Sequence, residues 1–406
     1  MIAQKGKHME KLFIEEESRR IPVIDECDVL VCGGGAAGCA AALAAARNGA
    51  RVIVLEKNCT LGGLATTGLI SCFLPLSDGS GKQVIGGIAE EFFRLAIKYG
   101  PGRIPDCWEE GGDPAKRAKH PLTAEFNPHW LMIGLEQLVL EAGVKLYYDT
   151  KVCAVRMNGG AAEAVIVENK NGRGAVSCRV VIDATGDADI CAFCGEETVS
   201  LDSNRRAAWF HSLSGGRLRH HILGDIFFLP VPEGSRTFSG DDCRDITDFC
   251  IDMRRQVYDD LMRMRSREET SDAIPTALPV IPLMRKTRRL KGQYELSEND
   301  GDNYSEAAIG MTSYYRMMEL HLYFPYPCLI GKTSNLLTAG RCISSKEEFA
   351  WNITRGIPSS SVTGQAAGTA AAICAREGIS VQELDGSRLR KLLIEQGAII
   401  RPAAEL

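Results

Sequence analysis

A glycine-rich turn between two apolar strands constrains this chain more than any other feature. The stretch VLVCGGGAAGCAAALAAARNGARVIVLEK, residues 29–57, predicts a buried strand, a tight turn, an alanine-rich helix and a second strand. Gly33, Gly35 and Gly38 have the spacing G-x-G-x-x-G. The first glycine allows the turn, the second lets a pyrophosphate approach the backbone, and the third lets the helix lie close to the strand. The pattern therefore predicts an anion at the helix N-terminus.

An acidic residue at the end of the second strand completes this pattern. Glu56 comes eighteen residues after Gly38. A carboxylate at this point binds both ribose hydroxyls of an adenosine and repels a 2′-phosphate. An adenine dinucleotide is therefore expected, either NAD or FAD. The predicted cofactor contacts in this unit are Gly33, Gly35, Ala36, Ala37, Gly38, Glu56 and Lys57.

Three later segments favour FAD over NAD. LGGLATTGLI, residues 61–70, has a second glycine pair followed by small residues, which lets a flat ring system approach the chain. Two later segments each have an apolar strand that ends in small residues: VVIDATGDAD, residues 180–189, and NLLTAGRCISS, residues 335–345. Both strand ends, without large side chains, are therefore expected to line the same crevice. The further predicted contacts are Gly62, Gly63, Leu64, Ala65, Thr66, Val152, Ala184, Thr185, Gly186, Gly340 and Arg341.

A segment rich in small residues follows near the C-terminus. SSSVTGQAAGTAAAICAREG, residues 359–378, predicts a buried helix. Its N-terminus would aim N–H groups at the flavin N1 and O2, where negative charge accumulates on reduction. The predicted contacts are Ser360, Ser361 and Val362. A helix that only fills the core is the alternative interpretation.

These ordered motifs carry a family resemblance. Over about residues 25–375 the chain resembles FAD-dependent oxidoreductases of the glutathione-reductase-like superfamily. It is most similar to the group that includes heterodisulfide reductase A-like flavoproteins, and more distantly to fumarate reductase flavoproteins. The segment RKTRRLKGQYELSENDGD, which starts at Arg285, resembles that group's arginine-rich substrate-side segment. The chain departs from the group at Lys286, Pro327 and Trp351, which leaves the substrate open.

The resemblance implies that FAD lies extended, with its pyrophosphate over residues 33–38 and its isoalloxazine near residues 63–66. Together with the motifs, it predicts an α/β fold: a Rossmann-like FAD-binding domain, with a parallel sheet and a β-meander, interrupted by an α+β substrate or lid domain. The predicted ranges are 22–80, 144–200 and 330–378 for the FAD-binding domain, 81–143 and 201–329 for the inserted domain, and 379–406 for a C-terminal helical tail.

Charge and hydropathy narrow the class of partner. The chain has 47 basic and 52 acidic residues, so it shows no electrostatic signature of a nucleic-acid or anionic-membrane binder. No apolar run reaches the roughly 18–20 residues of a membrane span, and the charged start is unlike a signal peptide. We therefore expect a cytoplasmic protein that binds a small molecule.

Fifteen cysteines are present, and most stand singly in apolar or helical runs, as small buried residues do. Cys191 and Cys194 form the one CxxC, but no second pair follows at metal-ligand spacing, so no metal site is predicted. The superfamily's disulfide reductases carry a cysteine pair where this chain has residues 64–67, LATT, which disfavours a dithiol mechanism. There is also no second glycine fingerprint for a nicotinamide domain, so an external electron donor or acceptor is expected.

Arginine suits the anchoring of a carboxylate or carbonyl substrate beside a flavin. The candidate catalytic residues are Arg355, directly before the small-residue helix, with Arg285 and Arg288 in the basic segment. Tyr294 and His321 are candidates for proton transfer, or else packed core residues. Three further histidines, at 211, 220 and 221, are expected at the surface.

The sequence thus favours an FAD-dependent oxidoreductase, a dehydrogenase or reductase, that transfers a hydride between flavin N5 and a small organic substrate. The alternatives are an electron-relay subunit of a larger redox complex and a non-catalytic FAD-binding module that senses redox state.

Overall fold

The structure places the glycine turn at the end of a central strand of a seven-stranded sheet. It is a computed structural model and describes residues 14, 16–225, 233–314, 317–346 and 348–406. The strands are β1 Val23–Cys32, β2 Val52–Leu55, β3 Cys72–Phe73, β4 Ala124–Glu125, β5 Lys145–Tyr147, β6 Lys151–Asn158, β7 Ala161–Asn169, β8 Gly172–Asp183, β9 Thr198–Ser200, β10 Ala207–Ser214, β11 Arg217–Gly224, β12 Ile274–Ala277, β13 Arg288–Leu290, β14 Ala308–Tyr314, β15 Met317–Pro325 and β16 Leu336–Thr338. The helices are α1 Ala36–Arg47, α2 Ile88–Ile97, α3 Pro128–Glu141, α4 Asp189–Phe193, α5 Cys243–Arg265, α6 Glu348–Thr354, α7 Ile357–Glu377 and α8 Gly386–Glu395.

The large sheet has the order β5-β2-β1-β8-β7-β6, and β16 also pairs with β8. Its β5, β2, β1, β8 and β16 run parallel, whereas β6, β7 and β8 form an antiparallel meander. Val29 and Val31 of β1 face the helical layer, while Leu30 and Cys32 face the meander side. All four are buried, which explains why the strand is apolar without alternation. The predicted α/β fold, with a parallel sheet and a β-meander, is confirmed.

Helices α1 and α7 pack against each other at very short distance. A Cβ added to Gly364 of α7 would lie 2.3 Å from the carbonyl oxygen of Ala37, and one added to Gly368 would lie 2.1 Å from that of Ala41. Only glycine therefore permits this approach. The same contact brings the N-terminus of α7 to the glycine turn at the start of α1. The small residues of α7 therefore have two roles: they allow close packing, and they position the end of the helix.

The segment between β9 and β16 adds smaller sheets beside the large one. Strand β10 lies between β11 and β12, and α5 packs against β10. Strand β13 pairs with β9, and β14 pairs with β15. His211 of β10 is only 9% exposed, so the expectation of a surface position is wrong for this residue.

Within the described ranges, no helix has both the length and the apolar composition needed to cross a membrane.

Candidate functional site

The first glycine turn forms a cradle with one open side. Gly33 has φ of +104°, and a Cβ there would lie 2.4 Å from the carbonyl oxygen of Ala184. A Cβ on Gly38 would lie 1.8 Å from the carbonyl oxygen of Gly33. Gly35, with φ of −70° at the N-cap of α1, has no atom within 4 Å of an added Cβ. The outer glycines therefore close the turn and pack the helix, while Gly35 leaves open space in front of the helix N-terminus.

The carboxylate of Glu56 is held rigidly at the end of β2. One oxygen accepts a hydrogen bond from the backbone N–H of Gly34 at 2.7 Å. The other accepts from the backbone N–H of Asn58 at 2.8 Å and from its side-chain Nδ2 at 2.7 Å. These bonds fix the carboxylate beside the glycine turn, which is where the sequence predicts the adenosine ribose.

The second glycine loop meets the first directly. The N–H of Gly62 donates to the carbonyl of Gly34 at 2.8 Å, and a Cβ on Gly63 would lie 3.2 Å from the Cα of Gly35. Gly62 and Gly63 have φ of +93° and +54°, in the left-handed region that favours glycine. The hydroxyl of Thr66 donates to the carbonyl of Leu61 at 2.5 Å and so closes the loop.

A cleft of about 270 Å³ joins these loops to the two later strand ends and to α7. The sequence-predicted residues that line it are Gly33, Gly35, Ala36, Ala37, Glu56, Lys57, Gly62, Gly63, Leu64, Ala65, Ala184, Thr185, Gly186, Gly340, Arg341, Arg355 and Ser360. The predicted residues that lie outside its lining are Gly38, Thr66, Val152, Ser361, Val362, Arg285, Arg288, Tyr294 and His321.

Sequence reasoning missed ten lining residues. They are Asn58, Asp187, Gly240, Ile246, Ile281, Pro282, Met284, Thr287, Ala339 and Ile357. Asn58, Asp187 and Ala339 are next to predicted contacts in the chain, and Ile357 lies between Arg355 and Ser360, so a wider window around each motif would have found them. Met284 directly precedes the arginine-rich segment, and Thr287 lies within it. The remaining four come from the segment between β9 and β16, where no motif marks them.

Arg341 follows the strand end at Gly340, and its side chain contacts the strand end at Gly186. Its Nε donates to the carbonyl of Gly186 at 2.7 Å, and its Nη1 donates to that of Met284 at 2.6 Å. Its Nη2 lies 3.1 Å from a carboxylate oxygen of Asp187. One guanidinium thus joins the strand end at Gly186 to the segment between β9 and β16, and its positive charge is paired with Asp187, which also lines the cleft.

Trp351, one of the departures from the family pattern, supports the same turn. Its indole Nε1–H donates to the carbonyl oxygen of Arg341 at 3.1 Å, and the ring is buried. The guanidinium of Arg289 lies 5.7 Å from the centre of the Trp351 ring. Burial lowers the pKa of Arg289, and its bond to Glu295 opposes that change. These contacts fix the backbone from which Arg341 reaches the cleft.

The N-terminus of α7 also faces the cleft, through Ile357 and Ser360. The hydroxyl of Thr363, one turn further on, accepts a hydrogen bond from the N–H of Gly340 at 3.0 Å. The first turn of this helix is therefore tied to the Gly340 strand end. A 21-residue helix carries a partial positive charge at this end, which favours a partly anionic ring beside it.

Arg355 lies immediately before α7 and lines the cleft. Its Nε donates to the side-chain oxygen of Asn352 at 3.3 Å. Of the five sequence-predicted catalytic residues, Arg355 is the one that the structure brings to the cofactor cleft.

Arg288, the first residue of β13, contacts the loop after β8 and the start of α4, whereas Arg285 contacts Asn204. The Nε of Arg288 donates to the carbonyl of Asp187 at 3.0 Å, and its Nη2 lies 2.6 Å from a carboxylate oxygen of Asp189. Burial, followed by repulsion from Asp187, raises the pKa of Asp189 to about 6. The backbone N–H of Arg285 donates to the side chain of Asn204 at 2.8 Å. Arg288 thus fastens β13 to the loop after β8.

Tyr294 and His321 lie in hydrogen-bonded clusters of their own. The hydroxyl of Tyr294 donates to Asp300, and this bond, followed by burial, raises its pKa to about 12. His321 is buried with one ring nitrogen 3.2 Å from Asp78 and the other 3.1 Å from Asp302. These partners account for both side chains without a substrate.

All fifteen cysteines are free thiols. Cys191 and Cys194 are buried in the core on the meander side of the sheet, where burial raises the pKa of Cys194 to about 12 and that of Cys191 well above its usual value. In the described part of the chain, no trio of His, Cys, Asp or Glu side chains is placed to bind a metal ion.

A family model described as FAD dependent oxidoreductase matches residues 28–208 and 225–393. The chain belongs to this family. FAD is its cofactor, as the glycine turns and Glu56 predict, and the open side of Gly35 and the short approach of the two glycine loops fit a dinucleotide. The protein is an FAD-dependent oxidoreductase.

Solved structures share the fold of this oxidoreductase at low sequence identity. A geranylgeranyl bacteriochlorophyll reductase-like protein from Thermoplasma acidophilum is 14% identical, with a TM-score of 0.50 over 94% of this chain and 85% of the other. A p-nitrophenol 4-monooxygenase from Pseudomonas putida is 13% identical, with a TM-score of 0.51 over 94% of this chain and 88% of the other. No match was found among curated proteins.

Proposed function

We propose that this oxidoreductase transfers a hydride between FAD and a small organic substrate that carries a carboxylate or carbonyl group. FAD, when bound, supplies a two-electron donor or acceptor at N5 of its ring. The observation that carries the proposal is the position of Arg355, which lines the cofactor cleft directly before the N-terminus of α7. The proposal also includes the closer relationship to heterodisulfide reductase A-like flavoproteins. It includes the domain boundaries predicted from the sequence as well.

The apolar side chains that line the cleft form a wall that suits an organic substrate. This wall consists of Ile246, Ile281, Pro282 and Met284. Such a wall excludes water from the reacting atoms and strengthens the electrostatic contacts inside. A substrate with an apolar body and one polar group would place its body against this wall and its polar group toward a cation.

Arg355 provides that cation. A guanidinium binds a carboxylate through two parallel N–H···O bonds, so it fixes orientation as well as position. Orientation matters because hydride transfer requires the substrate carbon to be held against the flavin ring. Removing one charge-assisted contact costs about 1.5–3 kcal/mol.

The test follows the absorbance of the bound flavin under anaerobic conditions against a panel of small carboxylates, hydroxy acids and carbonyl compounds. One member of the panel, or its reduced counterpart, should reduce or oxidise the flavin. With that compound, Arg355→Ala should slow flavin reduction roughly ten- to a hundredfold at unchanged FAD content.

Arg355→Lys and Arg285→Ala serve as matched variants. The lysine keeps the charge but loses the paired geometry, so it should restore part of the rate. Arg285 lies outside the cleft lining, and its removal should leave the rate per bound flavin unchanged. Loss of FAD from Arg355→Ala with an unchanged rate per bound flavin would refute the anchoring role.

A further inference from the structure

The outer face of the sheet β11-β10-β12 is apolar and exposed. Leu213 of β10 lies opposite Leu218 of β11 and Ile274 of β12, and Trp209 of β10 lies opposite Ile222 of β11. Leu218 and Ile222 are each 62% exposed. The solvent face of an antiparallel sheet is normally polar, so this face differs from the usual alternation.

The opposite face of the same sheet is already covered. Phe210 of β10 stacks on His221 of β11 with ring centres 4.3 Å apart. The other side of the His221 ring faces helix α5, with Nδ1 3.4 Å from a carboxylate oxygen of Asp260. The exposed apolar residues are therefore a second apolar face, separate from the one that packs against α5.

The size of this outer face fits the centre of a protein interface. Leu213, Leu218, Ile222 and Ile274 are between 37% and 62% exposed and together leave on the order of 400 Å² of apolar surface. Apolar patches of this size on a single chain usually have a function. A standard interface buries roughly 800 Å² per partner, a little over half of it apolar, so this patch has about the apolar area that a stable dimer needs.

The chemistry of the patch suits a second copy of the same chain. The same face carries His211 and His220, which lie opposite each other with ring centres 5.0 Å apart, and His211 is buried beneath the patch surface. Burial lowers the pKa of both, that of His211 to about 4, so both are neutral at pH 7 and do not repel their counterparts across an axis.

The charged residues of β11 do not lie on this outer face. Arg217 and Arg219 lie opposite Ser214 and Ser212, so they alternate onto the face of the sheet that carries Phe210 and His221. The outer face of β10 and β11 therefore carries no Lys, Arg, Asp or Glu side chain, and two identical copies can meet across a twofold axis without burying such a charge.

We propose that the outer face of β10, β11 and β12 is the twofold interface of a homodimer. The two sheets pack face to face, with Leu218 and Ile222 of each copy in the core of the interface. This interface is independent of the proposed reaction, because none of its apolar residues lines the cofactor cleft.

The test measures the mass of the FAD-loaded full chain in solution by sedimentation velocity over a micromolar concentration range. The parent protein should be a dimer. The double variant Leu218→Glu with Ile222→Glu should be monomeric, because four carboxylates buried without partners would weaken association roughly a hundredfold or more. Ile251→Glu, at a residue 50% exposed on α5, is the matched control and should remain dimeric.

FAD content and melting temperature, measured on each preparation, show that the variants are folded. If the glutamate pair lowers either value, Leu218→Thr with Ile222→Thr replaces it, because threonine is compatible with a strand. A parent that is monomeric throughout the range overturns the proposal. So does a folded double variant that stays dimeric, or an Ile251→Glu variant that dissociates.

Discussion

Replacing Gly35 by valine should remove FAD binding and leave the fold intact. Gly35 has φ of −70°, which valine adopts without strain, and no atom lies within 4 Å of the added Cβ. Valine is a poorer N-cap residue than glycine, at a cost of about 0.5–1 kcal/mol, and a gain of about 0.4–1 kcal/mol from a less flexible unfolded chain offsets it. The free energy of unfolding of the apoprotein should therefore change by less than about 1 kcal/mol.

The effect of Gly35→Val on FAD binding is larger than its effect on the free energy of unfolding, because the open side of Gly35 faces the cleft. A valine side chain there occupies the space through which the pyrophosphate approaches the backbone. Loss of even one charge-assisted contact costs about 1.5–3 kcal/mol, which raises the Kd for FAD roughly ten- to more than a hundredfold.

The assay measures the Kd of the apoprotein by quenching of FAD fluorescence, with circular dichroism melting on the same sample. Gly33→Val is the matched control. Its φ of +104° and the 2.4 Å approach to the carbonyl oxygen of Ala184 should destabilise the fold itself. If Gly35→Val keeps stoichiometric, tightly bound FAD, the turn serves packing alone and the reasoning is wrong.

Three further changes test neighbouring parts of the account. Glu56→Gln should weaken FAD binding about tenfold or more, measured by the same fluorescence assay, because a neutral amide replaces the charged acceptor fixed by Gly34. In a calorimetric pH series, the melting temperature of Asp189→Asn minus that of the parent should increase from about pH 4 to about pH 6. Above about pH 6 this difference should stay constant. The folded pKa of about 6 exceeds the ordinary 3.8, so the parent loses stability from this group as the pH rises through that window. Gly364→Ala should lower the melting temperature by several degrees, because its Cβ would lie 2.3 Å from the carbonyl oxygen of Ala37; an unchanged value would contradict the close packing of α1 and α7.

The cofactor cradle could be predicted from sequence because its physics is local. The turn from Gly33 to Gly38 and the acid at Glu56 lie within one βαβ unit, and the chain between them leaves few ways to arrange them. The strand ends at Gly186 and Gly340 could be placed because parallel strands present their carboxyl ends to the same crevice.

The substrate wall could not be predicted in the same way. Ile281, Pro282 and Met284 stand in a segment without helical or strand periodicity, so nothing in the pattern marks them as lining the cleft. The role of Arg288 depends on Asp189, which is about a hundred residues away in the chain, and this pairing follows from tertiary packing alone. Of the arginines predicted to bind substrate, Arg288 therefore forms an ion pair with Asp189, whereas Arg355 lines the cleft.

In the proposed reaction, a hydride passes between the substrate and FAD beside Arg355. The most direct test is a single-turnover, anaerobic measurement of flavin reduction with the identified substrate, unlabelled and deuterated at the transferred position. Hydride transfer predicts slower reduction with the deuterated substrate, loss of deuterium from the substrate carbon to the solvent because the N5–H of a reduced flavin exchanges with water, and the same isotope dependence at a lower rate in Arg355→Ala. Equal rates for the two substrates, with no deuterium leaving the substrate carbon, would contradict hydride transfer and indicate that the flavin relays electrons.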